Sequence, residues 1–246
     1  MKKYVATIEA RMTSSRLPGK VLLPVLDRPI LGYLIDRLKK VRSIDEIVLA
    51  TTVNVADDPV ALFAKSEGIS VFRGSEDDVL LRVVGAAESV KADVIIEITG
   101  DCPIIDPEIV DQCIQIYKHN TAAYVGNAHI RSYPDGMDVQ VFSLEDLKKS
   151  GEMTTDKLDR EHVSLFMRNH PEIFPHLHLV APSSIFWPEL GLTLDEKQDF
   201  ELLKAIIEHF HSLKNPFFSC LDSVTYLRNH PELLELNSEV KRKGDT

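Results

Sequence analysis

The sequence predicts an α/β protein in which a doubly wound, mostly parallel sheet carries helices on both faces. Two observations lead to this fold class. Short runs of aliphatic and β-branched residues alternate with longer segments whose apolar residues recur every three or four positions. One short run, DVIIEIT at 93–99, is too apolar for a strand with one face in water, which is typical of the interior of a parallel sheet. In such sheets, ligands bind beyond the carboxyl ends of the strands.

Each element has its own signal. The run YVATIEA at 4–10 predicts a strand that feeds a loop punctuated by Pro18 and Gly19. Apolar residues at helical spacing from Ile30 to Leu38 predict an amphipathic helix. The further predicted strands lie at 46–53, 69–72, 93–99, 122–127, 139–142, 176–180 and 190–194. The further predicted helices lie between 57 and 68, at 76–90 and 107–118, after 143, and at 156–169, 196–213 and 222–236.

These elements are predicted to form a single domain that covers residues 1–246. After residue 128 the alternation becomes less regular, so we expect 129–190 to be an insertion or flap within that domain and a candidate arm for a homodimer. Lys and Arg total 28 against 38 Asp and Glu, and the net charge of −10 argues against a nucleic-acid partner because backbone phosphates demand a cationic surface.

Hydropathy and the cysteines indicate where the protein is expected to be located. No window of the sequence approaches the ~20 apolar residues of a membrane span, so no membrane partner is expected. The 3 cysteines show neither disulfide nor metal-site spacing, and we interpret them as typical of a cytoplasmic protein.

The loop after the first strand, ARMTSSRLPGK, places Arg11, Arg16 and Lys20 close together in the chain. Such a cluster is unusual in an acidic protein. Guanidinium and ammonium groups, together with backbone amides near Gly19, suit a polyphosphate. The loop is not a Walker A motif, because Lys20 is not followed by Ser or Thr and the upstream glycine is absent. The alternative is a solvated basic surface loop.

Two aspartates follow predicted strands. Asp101 stands in the turn TGDCPIIDP, and Asp195 ends the run GLTLD. Capping a helix is the alternative for each, although Asp106, directly before Pro107, fits the cap of its helix better than Asp101 does. Magnesium prefers oxygen ligands and is usually held by one or two carboxylates, with water and phosphate completing its shell. Together with the basic loop, the pair predicts Mg²⁺-dependent nucleotide chemistry.

Several motifs of the chain occur in the same order in a known family. They are VATIEARMTSSRLPGKVL at 5–22, FRGSEDDVLLRVVGAAE at 72–88, ITGDCPIID at 98–106, YPDGMDVQVF at 133–142, REHV at 160–163 and LTLDEKQDF at 192–200. On these motifs the sequence resembles the cytidylyltransferases of the SpsF type, named for a spore coat polysaccharide biosynthesis protein. This group is related to CMP-KDO synthetase and acylneuraminate cytidylyltransferase.

The resemblance implies a Rossmann-like fold of the nucleotide-diphospho-sugar transferase type. It implies transfer of CMP from CTP to a sugar, with Mg²⁺ as cofactor and pyrophosphate as product. The sugar acceptor implied is an acidic or modified one for a surface polysaccharide. Carried over to matching positions, Arg11, Arg16 and Lys20 would hold the triphosphate and, with Asp101, would carry the catalysis, while Asp101 and Asp195 would hold the metal. The residues implied near the cytosine base are Ala50, Thr51, Thr52, Arg73, Gly74 and Ser75.

Four more residues are candidates for substrate contact: Arg82, Tyr133, Asp138 and His162. Each has a structural alternative. Arg82 has the helical spacing for an ion pair with Asp78. The loop RSYPDGMD that carries Tyr133 and Asp138 is also a plain turn sequence. His162 could be a neutral histidine on a packed helix face.

Two other functions remain open from the sequence. A sugar-1-phosphate nucleotidyltransferase that uses UTP, GTP or dTTP fits the basic loop, because the loop recognises phosphates rather than bases. A catalytically inactive nucleotide-binding subunit would keep the fold without turnover. Direct in-line attack of an acceptor hydroxyl on the α-phosphorus needs no covalent intermediate, so Cys102 is not predicted to be a nucleophile.

Overall fold

The computed structural model describes residues 2–241, so that Met1 and residues 242–246 of the predicted domain lie outside it. Its strands are β1 (Tyr4–Glu9), β2 (Pro24–Val25), β3 (Arg28–Pro29), β4 (Glu46–Thr52), β5 (Ser70–Gly74), β6 (Val94–Thr99), β7 (Tyr124–Gly126), β8 (Gln140–Ser143) and β9 (His176–His178). Its α-helices are α1 (Ile30–Leu38), α2 (Asp58–Ser66), α3 (Val79–Ser89), α4 (Pro107–His119), α5 (Leu144–Met153), α6 (Lys157–Glu161), α7 (Leu165–Asn169), α8 (Lys197–Ser212) and α9 (Cys220–Asn229). Short 3₁₀ helices occupy Lys20–Leu22, Val55–Asp57 and Pro231–Leu236.

Seven strands form one sheet in the order β5-β4-β1-β6-β8-β7-β9. The strands β5, β4, β1 and β6 are parallel to one another, β8 is antiparallel to both β6 and β7, and β9 is parallel to β7. The predicted α/β fold with a mostly parallel sheet is therefore confirmed. The carboxyl ends of β1 and β6 are neighbours, so the loops that follow them meet at one edge of the sheet.

The two faces of the sheet pack against different helices. Ile8 belongs to the larger core, which includes buried residues of α1, α4 and α8, whereas Val5 and Ile95 belong to the second core, with residues of α3 and α5. Because side chains alternate along a strand, Glu9 shares a face with Val5, and Glu97 shares a face with Ile95. Two glutamates of adjacent strands thus lie on the α3 face of the sheet.

Two predicted elements of the second half are wrong. The helix predicted at 156–169 is broken into α6 and α7, because Val163 between them has a φ of 44°, which a helix cannot accommodate. The strand predicted at 190–194 is present only as an isolated bridge between Asp135 and Gly191. Residues 129–190 nevertheless supply two strands of the main sheet, β8 and β9.

A short hairpin before α1 was not among the predicted elements. β2 and β3 pair across a two-residue turn in which Leu26 and Asp27 have φ values of 48° and 63°. Turns of this kind usually carry Asn or Gly, and Leu-Asp lacks that signature. In the part of the chain that the structure describes, no helix has the length and apolarity needed to cross a membrane.

Candidate active site

A cavity of about 340 Å³ opens at the carboxyl ends of β1 and β6. The loop after β1, the turn after β6 and the residues before α8 form its mouth. Its lining includes all three cations of the opening loop and the two aspartates predicted to hold the metal, namely Arg11, Arg16, Lys20, Asp101 and Asp195. Segments that are far apart in the sequence therefore bring cations and carboxylates to one place.

Lys20 joins the two aspartates. Its Nζ lies 3.0 Å from Asp101 Oδ2 and 3.0 Å from Asp195 Oδ1. Arg16 Nη2 lies 2.6 Å from the same oxygen of Asp195. Because both carboxylates contact one nitrogen, their contacting oxygens are at most about 6 Å apart.

These contacts fix the charge states. Burial opposes the charge on Lys20, but Asp101 and Asp195 raise the pKa of this lysine above its ordinary value. Burial would likewise raise the pKa of Asp101, but the ammonium of Lys20 and the hydroxyl of Thr99 hold it below its ordinary value. Lys20 and Asp101 are therefore both charged at neutral pH.

Local backbone requirements position both aspartates. In the turn after β6, a Cβ added to Gly100 would lie 2.8 Å from the carbonyl oxygen of Glu9, so only glycine lets this turn approach β1 so closely. Leu194 N–H donates to the carbonyl oxygen of Asp101 at 2.8 Å, which ties the two aspartate-bearing segments together. Glu196, in a capping box with its helix, caps α8, so Asp195 is not the cap.

The opening loop is anchored from outside the cavity. Asp57 is fully buried and accepts the N–H of Met12 at 2.6 Å and the hydroxyl of Thr52. Glu76 accepts Arg11 Nη1 at 2.7 Å and the Thr13 hydroxyl at 2.9 Å. Two carboxylates therefore hold the opening loop, one through the N–H of Met12 and one through the side chains of Arg11 and Thr13, and Arg11 lies at the rim of the cavity with Glu76 as its partner.

The polar residues of the cavity that the sequence reasoning missed include Glu9, Glu97, Gln140 and Arg168. Burial and the proximity of Glu97 raise the pKa of Glu9 well above its ordinary value. Burial raises the pKa of Glu97 to about 7, although Arg168 opposes this shift. A single acid inside an apolar strand, as in DVIIEIT, was the signal that could have identified Glu97.

The residues predicted near the base lie outside this cavity. Ala50 and Thr51 are fully buried. Arg73 donates to the carbonyl oxygens of Thr52 and Asn54 at 2.7 and 2.6 Å, and to Asp58 Oδ1 at 2.5 Å, so its guanidinium faces the start of α2. Gly74 and Ser75 follow Arg73 and do not line the cavity either.

Two of the four residues predicted to contact the substrate line the cavity, and two do not. Arg82 and His162 line the cavity, whereas Tyr133 and Asp138 do not. Tyr133 is a buried member of the larger core. Asp138 lies beside Asp135, and burial together with that second carboxylate raises the pKa of Asp138 to about 7.

The expected ion pair between Arg82 and Asp78 is absent from the described residues. Arg82 Nη1 donates instead to the carbonyl oxygens of Ser75 and Glu76. The carboxylate of Asp78 caps α3 and pairs with Arg160 of α6. A contact between helices far apart in the chain thus replaces the local one.

Asp101 and Asp195 also fit a divalent metal. They present hard oxygen donors that already converge on one cation, the ammonium of Lys20. Within residues 2–241, no group of three or more His, Cys, Asp and Glu side chains is arranged to hold a metal ion. A metal at this pair would therefore take its remaining ligands from water and phosphate, as Mg²⁺ usually does.

A mostly parallel sheet with clustered cations and a carboxylate pair at its carboxyl edge is the arrangement expected of a nucleotidyltransferase. The family model described as Cytidylyltransferase matches residues 5–229, and the chain belongs to this family. The resemblance on which the sequence prediction rested is therefore confirmed, as is the prediction of a nucleotidyltransferase.

Individual relatives agree with this membership. The chain is 34% identical to the spore coat polysaccharide biosynthesis protein SpsF of Bacillus subtilis, over 94% of this chain and 97% of that protein. The structure of a cytidylyltransferase from Leptospira borgpetersenii is similar with a TM-score of 0.90 and 32% identity, over 98% of this chain and all of the other (100%). The structure of CMP:2-keto-3-deoxy-manno-octonic acid synthetase complexed with CTP has a TM-score of 0.64 at 20% identity, over 85% and 99% of the two chains, and shows the shared fold alone.

Proposed function

We propose that this protein transfers CMP from CTP to a hydroxyl group of a sugar and releases pyrophosphate. The observation that carries the proposal is the convergence of Arg16, Lys20, Asp101 and Asp195 on one corner of the cavity. Clustered cations suit a polyphosphate, and two carboxylates that converge beside them offer the oxygen ligands that Mg²⁺ prefers. The relative SpsF, by its name a spore coat polysaccharide biosynthesis protein, supports a sugar as the acceptor. We propose an acidic or modified sugar, the class that the family resemblance implies.

In this proposal Arg16 and Lys20 exchange their carboxylate partners for phosphate oxygens when CTP binds. Arg11 at the rim provides a third positive charge. Fixing the triphosphate aligns its α-phosphorus with the acceptor hydroxyl, and such positioning is the main source of catalysis in phosphoryl and nucleotidyl transfer. The acceptor oxygen forms a bond to the α-phosphorus while the bond to the pyrophosphate oxygen breaks.

Asp101 and Asp195 are the residues that would hold Mg²⁺. When bound, the ion supplies neutralisation of the negative charge on the phosphate oxygens. Asp101 is ready for this role because Lys20 holds the pKa of its carboxyl below its ordinary value. Release of Lys20 toward the triphosphate would free the carboxylates at the same time.

The apolar part of the cavity wall suits the flat faces of the base. It is formed by Ala10 and Val21, which flank the opening loop, and by Val79 at the start of α3. We place the cytosine ring there rather than beside Ala50 and Thr51, which have no exposed surface. The remaining, polar end of the cavity is left for the acceptor.

Pyrophosphate release tests the proposal. Wild-type protein should release pyrophosphate with CTP, Mg²⁺ and a sugar acceptor, and a panel led by acidic ulosonates identifies that acceptor. UTP, GTP and dTTP should support at least tenfold less release. The variants Asp101→Asn and Asp195→Asn should each lose at least about a hundredfold in rate, because each removes charge stabilisation at the reacting phosphates.

Asp111→Asn is the matched control, since Asp111 lies on α4 outside the cavity. It should leave the rate unchanged. Equal release with UTP or dTTP would favour a sugar-1-phosphate nucleotidyltransferase, and no release despite tight CTP binding would favour an inactive subunit. A double variant of Asp101 and Asp195 that stays fully active, or activity without magnesium, would overturn the proposal.

A further inference from the structure

The inner end of the cavity carries a second group of polar side chains, separate from the triphosphate corner. Glu97 on β6 lies in register with Thr7 of β1 on one side and Gln140 of β8 on the other. Glu97, Gln140 and Arg168 all line the cavity, as does the segment between α6 and α7. Residues of three neighbouring elements thus surround one space.

Unmet hydrogen bonds are concentrated among the residues that line this cavity. Seven buried side-chain polar atoms lack a partner among residues 2–241, and three of them belong to residues that line this cavity. These three are Glu97 Oε2, Arg168 Nε and Arg82 Nε. Buried polar atoms are nearly always paired in folded proteins, so such a concentration in one cavity indicates a ligand that completes them.

The orientation of Gln140 adds another donor. Its Oε1 accepts the hydroxyl of Tyr124 at 2.8 Å and the hydroxyl of Ser164 at 2.6 Å. With its oxygen occupied by two donors, the amide presents its N–H groups to other partners. The inner end therefore offers donors from Gln140 and Arg168 beside an acceptor, Glu97 Oε2.

The segment between α6 and α7 has a strained backbone. Val163, which is buried and lines the cavity, holds a φ of 44°. A β-branched residue rarely adopts this conformation, and strain of this kind is concentrated at ligand clamps and active sites. The segment is held against α3 through the ion pair of Arg160 with Asp78.

We propose that the inner end of the cavity binds the acceptor through an uncharged group that both donates and accepts hydrogen bonds, an acylamido group or neighbouring hydroxyls. This inference rests on the proposed function and specifies its acceptor. A carboxylate carries no hydrogen that it could donate to Glu97 Oε2. An ammonium group has no lone pair that could accept a hydrogen bond from Arg168 or Gln140.

Binding of simple sugars in the presence of CMP tests this assignment. Saturation-transfer NMR at pH 8, where Glu97 with its pKa of about 7 is mostly ionised, would compare N-acetyl-D-glucosamine, D-glucosamine and D-glucuronate. N-acetyl-D-glucosamine should bind most tightly. In Glu97→Met and Arg168→Met its affinity should fall about tenfold, the loss expected for a hydrogen bond to a charged group, while CMP affinity stays within twofold.

Glu88→Met, on the exposed end of α3, is the control and should bind the sugar as wild type does. Tighter binding of D-glucuronate or D-glucosamine, absence of N-acetyl-D-glucosamine binding, or unchanged affinity in both cavity variants would overturn the inference. Failure of wild-type protein to bind CMP would instead contradict the proposed function, so the two failures are distinguishable. Two variants are used because either alone could alter the fold locally.

Discussion

Replacing Lys20 by methionine should make the protein bind a divalent metal more tightly in the absence of nucleotide. In the wild type, the ammonium of Lys20 lies between Asp101 and Asp195 and compensates their charges. A metal must displace it before both carboxylates become available. Methionine keeps much of the volume of lysine and removes the competing cation.

The size of the effect follows from the geometry. The contacting oxygens of Asp101 and Asp195 are at most about 6 Å apart. At an effective dielectric constant of about 20, two unit charges at that distance repel by about 3 kcal/mol. A divalent ion relieves this repulsion, so Lys20→Met should bind Mn²⁺ up to about 100-fold more tightly than wild type.

Electron paramagnetic resonance of free Mn²⁺ measures this affinity directly, without turnover. Lys20→Arg should bind like wild type because it keeps the competing charge. Lys65→Met, an exposed lysine of α2, controls for the loss of a positive charge elsewhere. If Lys20→Met binds Mn²⁺ no more tightly than wild type, the two aspartates do not form a common cation site.

Three further outcomes are expected. Glu97→Gln should be more stable than wild type by about 3 kcal/mol at pH 8 and equally stable near pH 4. Burial raises the pKa of Glu97 from 4.5 to about 7 in the folded state, so the wild-type protein loses stability as the pH rises through that range. Urea titrations in which the difference in stability did not change with pH would contradict this. Asp57→Ala, which frees the N–H of Met12, should weaken CTP binding about tenfold by calorimetry, and unchanged affinity would show that this anchor does not position the loop. Gly100→Ala should lower the free energy of unfolding by about 1–3 kcal/mol, because the added Cβ would lie 2.8 Å from the carbonyl oxygen of Glu9. An unchanged free energy of unfolding in urea would refute the close approach of this turn to β1.

The sequence predicted the parallel half of the sheet and the mouth of the site well, because both depend on local signals. Arg16 and Lys20 share a short loop, and Asp101 follows β6 at the carboxyl edge of the parallel strands. That Asp101 and Asp195 share the same ammonium is long-range geometry, which no local pattern contains. Motif order alone supported the pairing.

Other features depend on which way a side chain faces. Ala50 and Thr51 lie near the end of a strand at the correct edge, yet both are buried and neither lines the cavity. The apolar pattern that correctly predicted β6 also concealed Glu97, because a buried acid contradicts the pattern. Likewise Asp78 pairs with Arg160, a residue of a distant helix, which helical spacing cannot predict.

A double-mutant cycle on CTP binding tests most directly whether Asp101 and Asp195 hold one ion between them. Calorimetry with and without Mg²⁺ would be carried out on wild type, Asp101→Asn, Asp195→Asn and the double variant. If the aspartates share one ion, each single variant loses most of the Mg²⁺-dependent affinity and the double variant loses little more. Losses that add in full would show two independent roles and contradict the shared site.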